Sequence, residues 1–205
     1  MTRIKICGIT NTEDAMSAQN AGAHALGFVF YKKSKRYIDP LKVREIVKQL
    51  NPFIAKIGVF VNETAEEIMN IYRMCGLTHV QLHGDENRTF ADQLHLPIIK
   101  AINYSGTLKT YIKAWSDLPV LIDNGNKINP GGTGHTLPWE KIADEIDYSK
   151  IILAGGLTPE NVGRALSILH PAAVDVSSGV EKEPGKKDVN KIIKFIEQVK
   201  TSELI

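Results

Sequence analysis

The chain of 205 residues contains two cysteines, Cys7 and Cys75. Two thiols so differently set make no disulfide framework, and neither has the Cys/His cluster that holds zinc, so each is read alone. Cys75 sits inside an amphipathic helical stretch and reads as a small buried hydrophobe. Cys7 closes the apolar run RIKIC and is followed by glycine. A thiol there is either one more core residue or, beside cations and helix N-termini, a group whose pKa falls below about 8.5 and which acts as a base or nucleophile. Asp123 ends a second apolar run, LID. An unpaired carboxylate in such a run is costly. It is either hydrogen-bonded for structure or faces a dry pocket, where burial keeps it protonated and able to give up a proton.

Two further runs carry small residues where an anion can be held. Gly155-Gly156-Leu157 and Ser177-Ser178-Gly179 allow backbone N–H groups to converge on a phosphate, with a helix N-terminus adding its dipole. The alternative is that these glycines merely end strands and cap helices. Arg36 closes the charge cluster Lys32, Lys33, Lys35, Arg36. A charge run is often a solvated face. A guanidinium nevertheless offers a carboxylate a two-pronged fork, which makes Arg36 the candidate for a second anionic group on the substrate. His83, in His83-Gly84-Asp85, is either a structural hydrogen-bonding residue or a substrate contact. Together these types suit a small phosphorylated molecule on which protons are moved.

The elements that must position them follow from periodicity. Short β-branched runs recur, each followed by a turn signal and a longer helical pattern, which is the mark of βαβ units around a parallel sheet. Strands are expected at 3–7, 25–30, 56–61, 78–82, 97–102, 119–123, 150–154 and 173–177. Thr10 with Glu13 and Thr64 with Glu67 fit capping boxes, and Asp39-Pro40 and Thr158-Pro159 place an N-cap before a proline. In the last helix Val189, Ile192, Ile193, Ile196 and Val199 predict one apolar stripe. Eight such units without a dinucleotide-binding fingerprint after the first strand predict one α/β domain over residues 1–205, a (β/α)8 TIM barrel. In that fold the active site lies at the C-terminal ends of the strands, where Cys7, Arg36, His83, Asp123 and both small-residue runs fall. The runs after strands 7 and 8 occupy the barrel's habitual phosphate position.

Composition narrows the function. With 25 basic and 23 acidic residues and a formal net charge of +2, there is no broad cationic field for a nucleic-acid backbone. No stretch of about 18 apolar residues marks a membrane span, and the N-terminus lacks the apolar core of a signal peptide, so a cytoplasmic protein is expected. The two cysteines, without a Cys/His cluster around either, predict no zinc site.

The spellings themselves are informative. KICGIT at 5–10, GFVFYKKSKRYI at 27–38, GVFVNE at 58–63, VQLHGDE at 80–86, GGTG at 131–134, AGGLTPENV at 154–162, and VDVSSGVE with PGKKD at 174–188 together resemble the phosphoribosylanthranilate isomerase family. The resemblance spans nearly the whole chain. It implies an Amadori rearrangement of N-(5-phosphoribosyl)anthranilate in tryptophan biosynthesis, without metal or organic cofactor and by a monomer or a homodimer, with Cys7 as general base and Asp123 as general acid. It further implies that Arg36 holds the anthranilate carboxylate, that Gly155, Gly156, Ser177, Ser178 and Gly179 hold the phosphate, and that Asp175 supports the substrate hydroxyls. One departure stands near Trp139: the family more commonly has Phe-Asp where this chain has Leu137-Pro138, and Pro138 is expected in the first turn of a helix. The asparagines and glycines from Asn124 to Asn129 suggest a loop closing over the pocket. Three rivals remain. A barrel isomerase of the histidine-pathway aminoaldose performs the same rearrangement on a larger substrate with two phosphates, but typically has aspartate where Cys7 stands. A phosphate-ligand sensor would have kept the barrel and lost the reaction, and an RNA-binding protein lacks a basic face here.

Overall fold

The computed structural model describes residues 1–124 and 136–202. Eight strands, β1 Arg3–Cys7, β2 Ala25–Val29, β3 Ala55–Phe60, β4 His79–Leu82, β5 Ile98–Asn103, β6 Val120–Asp123, β7 Ile151–Leu153 and β8 Ala173–Val176, form a closed barrel in chain order. Closure runs between β1 and β8, where Ile4 pairs with Val174 and Lys5 with Asp175. Every neighbouring pair is parallel. The expected (β/α)8 barrel is the observed fold, with each strand within a residue of its expected bounds.

The strands are apolar throughout because both faces are covered. One set of alternate residues, including Ile4, Ile6, Leu26, Phe28, Phe60, Leu82 and Val174, packs outward into the core shared with the helices. The other set points inward and fills the barrel with Ile57, Ile99, Ala101, Leu121 and Ala154. Each fully buried aliphatic or Phe side chain contributes roughly 1.5–3 kcal/mol relative to exposure. This inner set becomes polar toward one rim: Cys7, Asp123 and Asp175 are all buried.

Helices α1 Thr12–Ala21, α2 Pro40–Val47, α3 Ala65–Cys75, α4 Arg88–Leu94, α5 Lys109–Ala114, α6 Trp139–Ile142, α7 Val162–Leu169 and α8 Val189–Ser202 follow the strands. Thr64 caps α3 by accepting from the Glu67 N–H at 3.2 Å, and Asp39 caps α2 with Pro40 in its first turn. Thr10 does not cap α1. Its hydroxyl donates instead to the Gly185 carbonyl, and Asn11 accepts from the Asp14 N–H at 2.8 Å. Thr158-Pro159 likewise opens no helix. Thr158 and Asn161 close a turn through reciprocal bonds, the Thr158 N–H to Asn161 Oδ1 at 2.8 Å and the Asn161 N–H to the Thr158 carbonyl at 3.2 Å, and α7 starts only at Val162. Pro138 stands just before α6 rather than in its first turn.

The buried stripe of α8 is Ile192, Phe195, Ile196 and Val199. Val189 and Ile193, expected within it, are 39% and 40% exposed. Both lie about one helical step around from the true face, and the larger Phe195 fills the position instead. After β8 a 3-10 turn at Ser178–Val180 leads into a hairpin of β9 Glu181–Glu183 and β10 Lys186–Lys187, turned at Gly185 with φ +84°. That hairpin, unseen in the sequence, folds Lys187 back against the strand ends. No helix among the described residues is long and apolar enough to cross a membrane.

Candidate active site

Cys7 ends β1 with its side chain inside the barrel, 8% exposed. Its room comes from β2. Gly27 is its register partner, and a Cβ there would lie 2.7 Å from Cys7 Sγ and 3.1 Å from Lys5 Cε. Two residues back on the same strand, hence on the same face, Lys5 is buried with its ammonium 2.9 Å from Asp175 Oδ2. Burial pushes the Cys7 thiol up, Lys5 and Lys187 pull it down, and Asp175 adds to the rise; the net is above the ordinary thiol value. Of the two readings open in the sequence, a core thiol or one with a lowered pKa, the direction here is upward, because desolvation outweighs the nearby cations.

The chain leaves Cys7 through Gly8, at φ +77°, where a Cβ would meet Arg36 Cδ at 2.6 Å and Ser177 Oγ at 2.9 Å. The glycine lets the arginine stem and the β8 loop close directly over β1. Arg36 is not a solvated charge. Its Nε and Nη2 each donate to Glu181 at 2.8 Å, which fixes one edge of the guanidinium and leaves the Nη1 side of the fork. Glu181 in turn accepts from Lys187 Nζ at 2.9 Å, and that ammonium is fully buried and also bonds the Ser177 carbonyl at 3.1 Å. Burial pushes the Glu181 carboxyl up, but Arg36 and Lys187 outweigh it and hold it below the usual range.

Across the mouth, Asp123 ends β6, 6% exposed. Its Oδ1 accepts the Asn124 N–H at 2.7 Å, while Oδ2 lies 3.5 Å from His83 Nε2. His83 Nδ1 sits 3.0 Å from the Gln81 amide nitrogen, so β4 aims the ring at the carboxyl. Between Asp123 and Cys7 the barrel order places β7 and β8. Their loops touch both neighbours. Gly155 (φ +82°) and Gly156 (φ +69°) are left-handed, and a Cβ on Gly155 would lie 2.7 Å from the Asn124 nitrogen and 3.2 Å from Asp123 Oδ1. A Cβ on Gly179 would overlap the Leu157 carbonyl oxygen, so the two loops pack backbone to backbone. Among the described residues Asp175 Oδ1 is buried with no hydrogen-bond partner.

All the residues singled out from sequence thus fall on one rim: Cys7, Arg36, His83, Asp123, Gly155, Gly156, Asp175, Ser177, Ser178 and Gly179. Those missed are Lys5, Gln81, Glu181 and Lys187. Lys5 had a signal, since the spacing of Lys5 and Cys7 along a strand puts both on one face. Glu181 and Lys187 had none, because the hairpin that pairs them is a tertiary feature. Cys75 is buried at the end of α3, as expected, with its thiol donating to the Pro40 carbonyl at 3.2 Å. The GGTG run at 131–134 and the loop residues 125–135 lie outside the described residues. Among the described residues no group of three or more His, Cys, Asp or Glu is placed to hold a metal ion.

A thiol and a carboxyl thus stand on one rim with glycine-lined loops between them. The family model for N-(5'phosphoribosyl)anthranilate (PRA) isomerase matches residues 4–198. The chain belongs to the phosphoribosylanthranilate isomerase family. An N-(5'-phosphoribosyl)anthranilate isomerase of Thermotoga neapolitana is 46% identical, covering 98% of this chain and 99% of that protein. A phosphoribosyl anthranilate isomerase crystallised with reduced 1-(o-carboxyphenylamino)-1-deoxyribulose 5-phosphate superposes with a TM-score of 0.85 at 42% identity, covering 98% of this chain and 100% of that one. Monomers generated from the dimeric enzyme of Thermotoga maritima superpose with a TM-score of 0.83 at 40% identity, covering 98% of this chain and 100% of that one. Membership of this isomerase family makes the chain an enzyme of tryptophan biosynthesis.

Proposed function

We propose that residues 1–205 act as one catalytic barrel that carries out the Amadori rearrangement of N-(5-phosphoribosyl)anthranilate by general acid–base catalysis, without a cofactor. The observation that carries this reading is the placement of Cys7 and Asp123 on opposite sides of the rim, with the β7 and β8 loops between them. In the first step Asp123, protonated on the oxygen not engaged by Asn124, gives its proton to the furanose ring oxygen. The C1–O bond breaks and the anilino nitrogen supplies electrons to form an iminium. That iminium makes the C2 proton acidic, and the Cys7 thiolate removes it. The electron pair forms the C1–C2 double bond of an enolamine, which gains a proton at C1, loses one from O2, and becomes the ketone.

The remaining residues bind. The open side of the Arg36 fork suits the anthranilate carboxylate, and the loops at Gly155-Gly156 and Ser177-Ser178-Gly179 suit the phosphate. The unpartnered Asp175 Oδ1 suits a sugar hydroxyl, and His83 beside Asp123 suits the ring-oxygen end of the substrate. A base that must be a thiol goes with a reducing compartment, the cytoplasm. A homodimer through the opposite, N-terminal mouth also fits. There Phe53 stands 96% exposed beside a cavity of about 670 Å3 lined by Ala55, Ile57, Ile99 and Ile152. A protein that runs as a dimer in Phe53→Asp would count against that interface.

The test is the loss of anthranilate-type fluorescence when purified protein meets freshly generated phosphoribosylanthranilate. Rapid conversion supports the enzyme. Tight binding of the reduced product analogue without conversion by folded protein would favour a phosphate-ligand sensor, and conversion of only the histidine-pathway aminoaldose would move the substrate assignment.

A further inference from the structure

Lys5 is a buried ammonium that the rearrangement itself does not need. It lies in the barrel centre, two residues before Cys7 on the same face of β1, and β8 meets it in register with Asp175. Burying a lysine without paired charge is expensive, so Asp175 answers that cost. Yet a single carboxylate at 2.9 Å uses one of three ammonium donors. The space that Gly27 leaves is taken by the Lys5 stem and the Cys7 sulfur. A Cβ at position 27 would touch both the Lys5 Cε and the Cys7 sulfur, so the missing side chain is what lets the two groups share one pocket.

We propose that Lys5 is a positioning residue for Cys7, a fixed cation that stabilises the thiolate form of the base. The inference rests on reading Cys7 as that base. Cys7 is faced by Lys5 on its own strand, Asp175 on β8, Lys187 on β10 and Arg36 after β2. Its apolar neighbours are Val29, Val59 and Tyr31. Arg36 and Lys187 are both held by Glu181. Among the described residues Lys5 pairs with the carboxylate of Asp175, whose Oδ1 has no hydrogen-bond partner there. Lys5 therefore dominates the cationic field at the sulfur, and Asp175 tempers it. The two have opposite effects on the same proton: Lys5 favours its loss, Asp175 its retention.

The opposition supplies the test. Thiolate formation is followed by ultraviolet absorbance against pH in the ligand-free protein, taking the difference from Cys7→Ala so that Cys75 cancels. Lys5→Met should move the Cys7 titration upward by a unit or more, and Asp175→Asn should move it downward. Turnover in Lys5→Met should fall about tenfold at neutral pH for each unit of rise and recover as pH increases. Lys5→Met leaves Asp175 buried alone and can fail to fold. The double variant Lys5→Met/Asp175→Asn leaves no uncompensated charge and keeps the experiment decisive: its Cys7 titration should remain above that of the wild type. A wild-type titration in folded Lys5→Met, or in the double variant, would overturn the proposal. Full turnover in Cys7→Ala would instead overturn the assignment of the base, a distinct outcome read in a distinct assay.

Discussion

Glu181 is the joint of the Arg36 and Lys187 network, and Glu181→Gln tests how much rests on it. The carboxylate makes two bonds of 2.8 Å to Arg36 and one of 2.9 Å to a Lys187 ammonium with no exposed surface. Glutamine keeps the shape but loses the charge, and its amide nitrogen must face a donor. Lys187 retains the Ser177 carbonyl at 3.1 Å but cannot reach water. Breaking a buried pair from one side costs about 3–5 kcal/mol. At about 2–4 °C per kcal/mol for a protein of this size, the melting temperature should fall by roughly 6–20 °C at pH 7. The Glu181 carboxyl is held below its ordinary value of 4.5, so it binds fewer protons folded than unfolded. Its contribution is then fully present above that value and lost as pH falls through the lower, folded one. The gap between wild type and variant should stay constant from pH 7 to about 5 and narrow only in stronger acid. Freed from Glu181, Arg36 should also hold substrate less well, raising KM. Urea melts across pH, with Lys187→Met/Glu181→Gln recovering most of the loss, measure this. A single variant within about 1 kcal/mol of wild type at pH 7 would refute the reasoning.

Three further outcomes are expected. Gly179→Ala drives a methyl into the Leu157 carbonyl and must part the two loops, so stability should fall by about 1–3 kcal/mol and KM should rise, as steady-state assays and melts would show. Phe195→Ala on the buried face of α8 should cost about 3–5 kcal/mol while Ile193→Ala costs about 1 or less, both with unchanged kcat, and equal losses in denaturant melts would return Ile193 to the core. Burial pushes the Cys75 thiol up to about 11, so iodoacetamide at pH 8 should leave it unmodified in the native protein and label it after unfolding, as peptide mass mapping would reveal.

The barrel was legible because its strands are covered on both faces and read as short apolar runs, and because helices alternate with them at regular spacing. Cys7 and Asp123 were legible for a related reason: each is a polar residue at the end of such a run, where this fold exposes it to the rim. The local caps were less so. Thr10 and Thr158 have the right chemistry for capping but are claimed by Gly185 and Asn161, partners that sequence spacing does not weigh. The electrostatics were legible least. Whether Cys7 sits above or below its ordinary pKa depends on the balance of burial against Lys5, Lys187 and Asp175, three groups brought together from β1, β10 and β8. Arg36 shows the same limit, since its partner Glu181 lies on a hairpin that no periodicity announces.

In the proposed reaction Cys7 and Asp123 do the chemistry while the glycine and serine loops, Arg36 and Asp175 bind. Turnover and affinity for the reduced product analogue, measured side by side in Cys7→Ala and Asp123→Asn, test it most directly. Each variant should lose kcat by at least about 10²–10⁴ and bind the analogue about as well as the wild type. Either variant turning over within tenfold of wild type, or losing kcat only in step with binding, would contradict it.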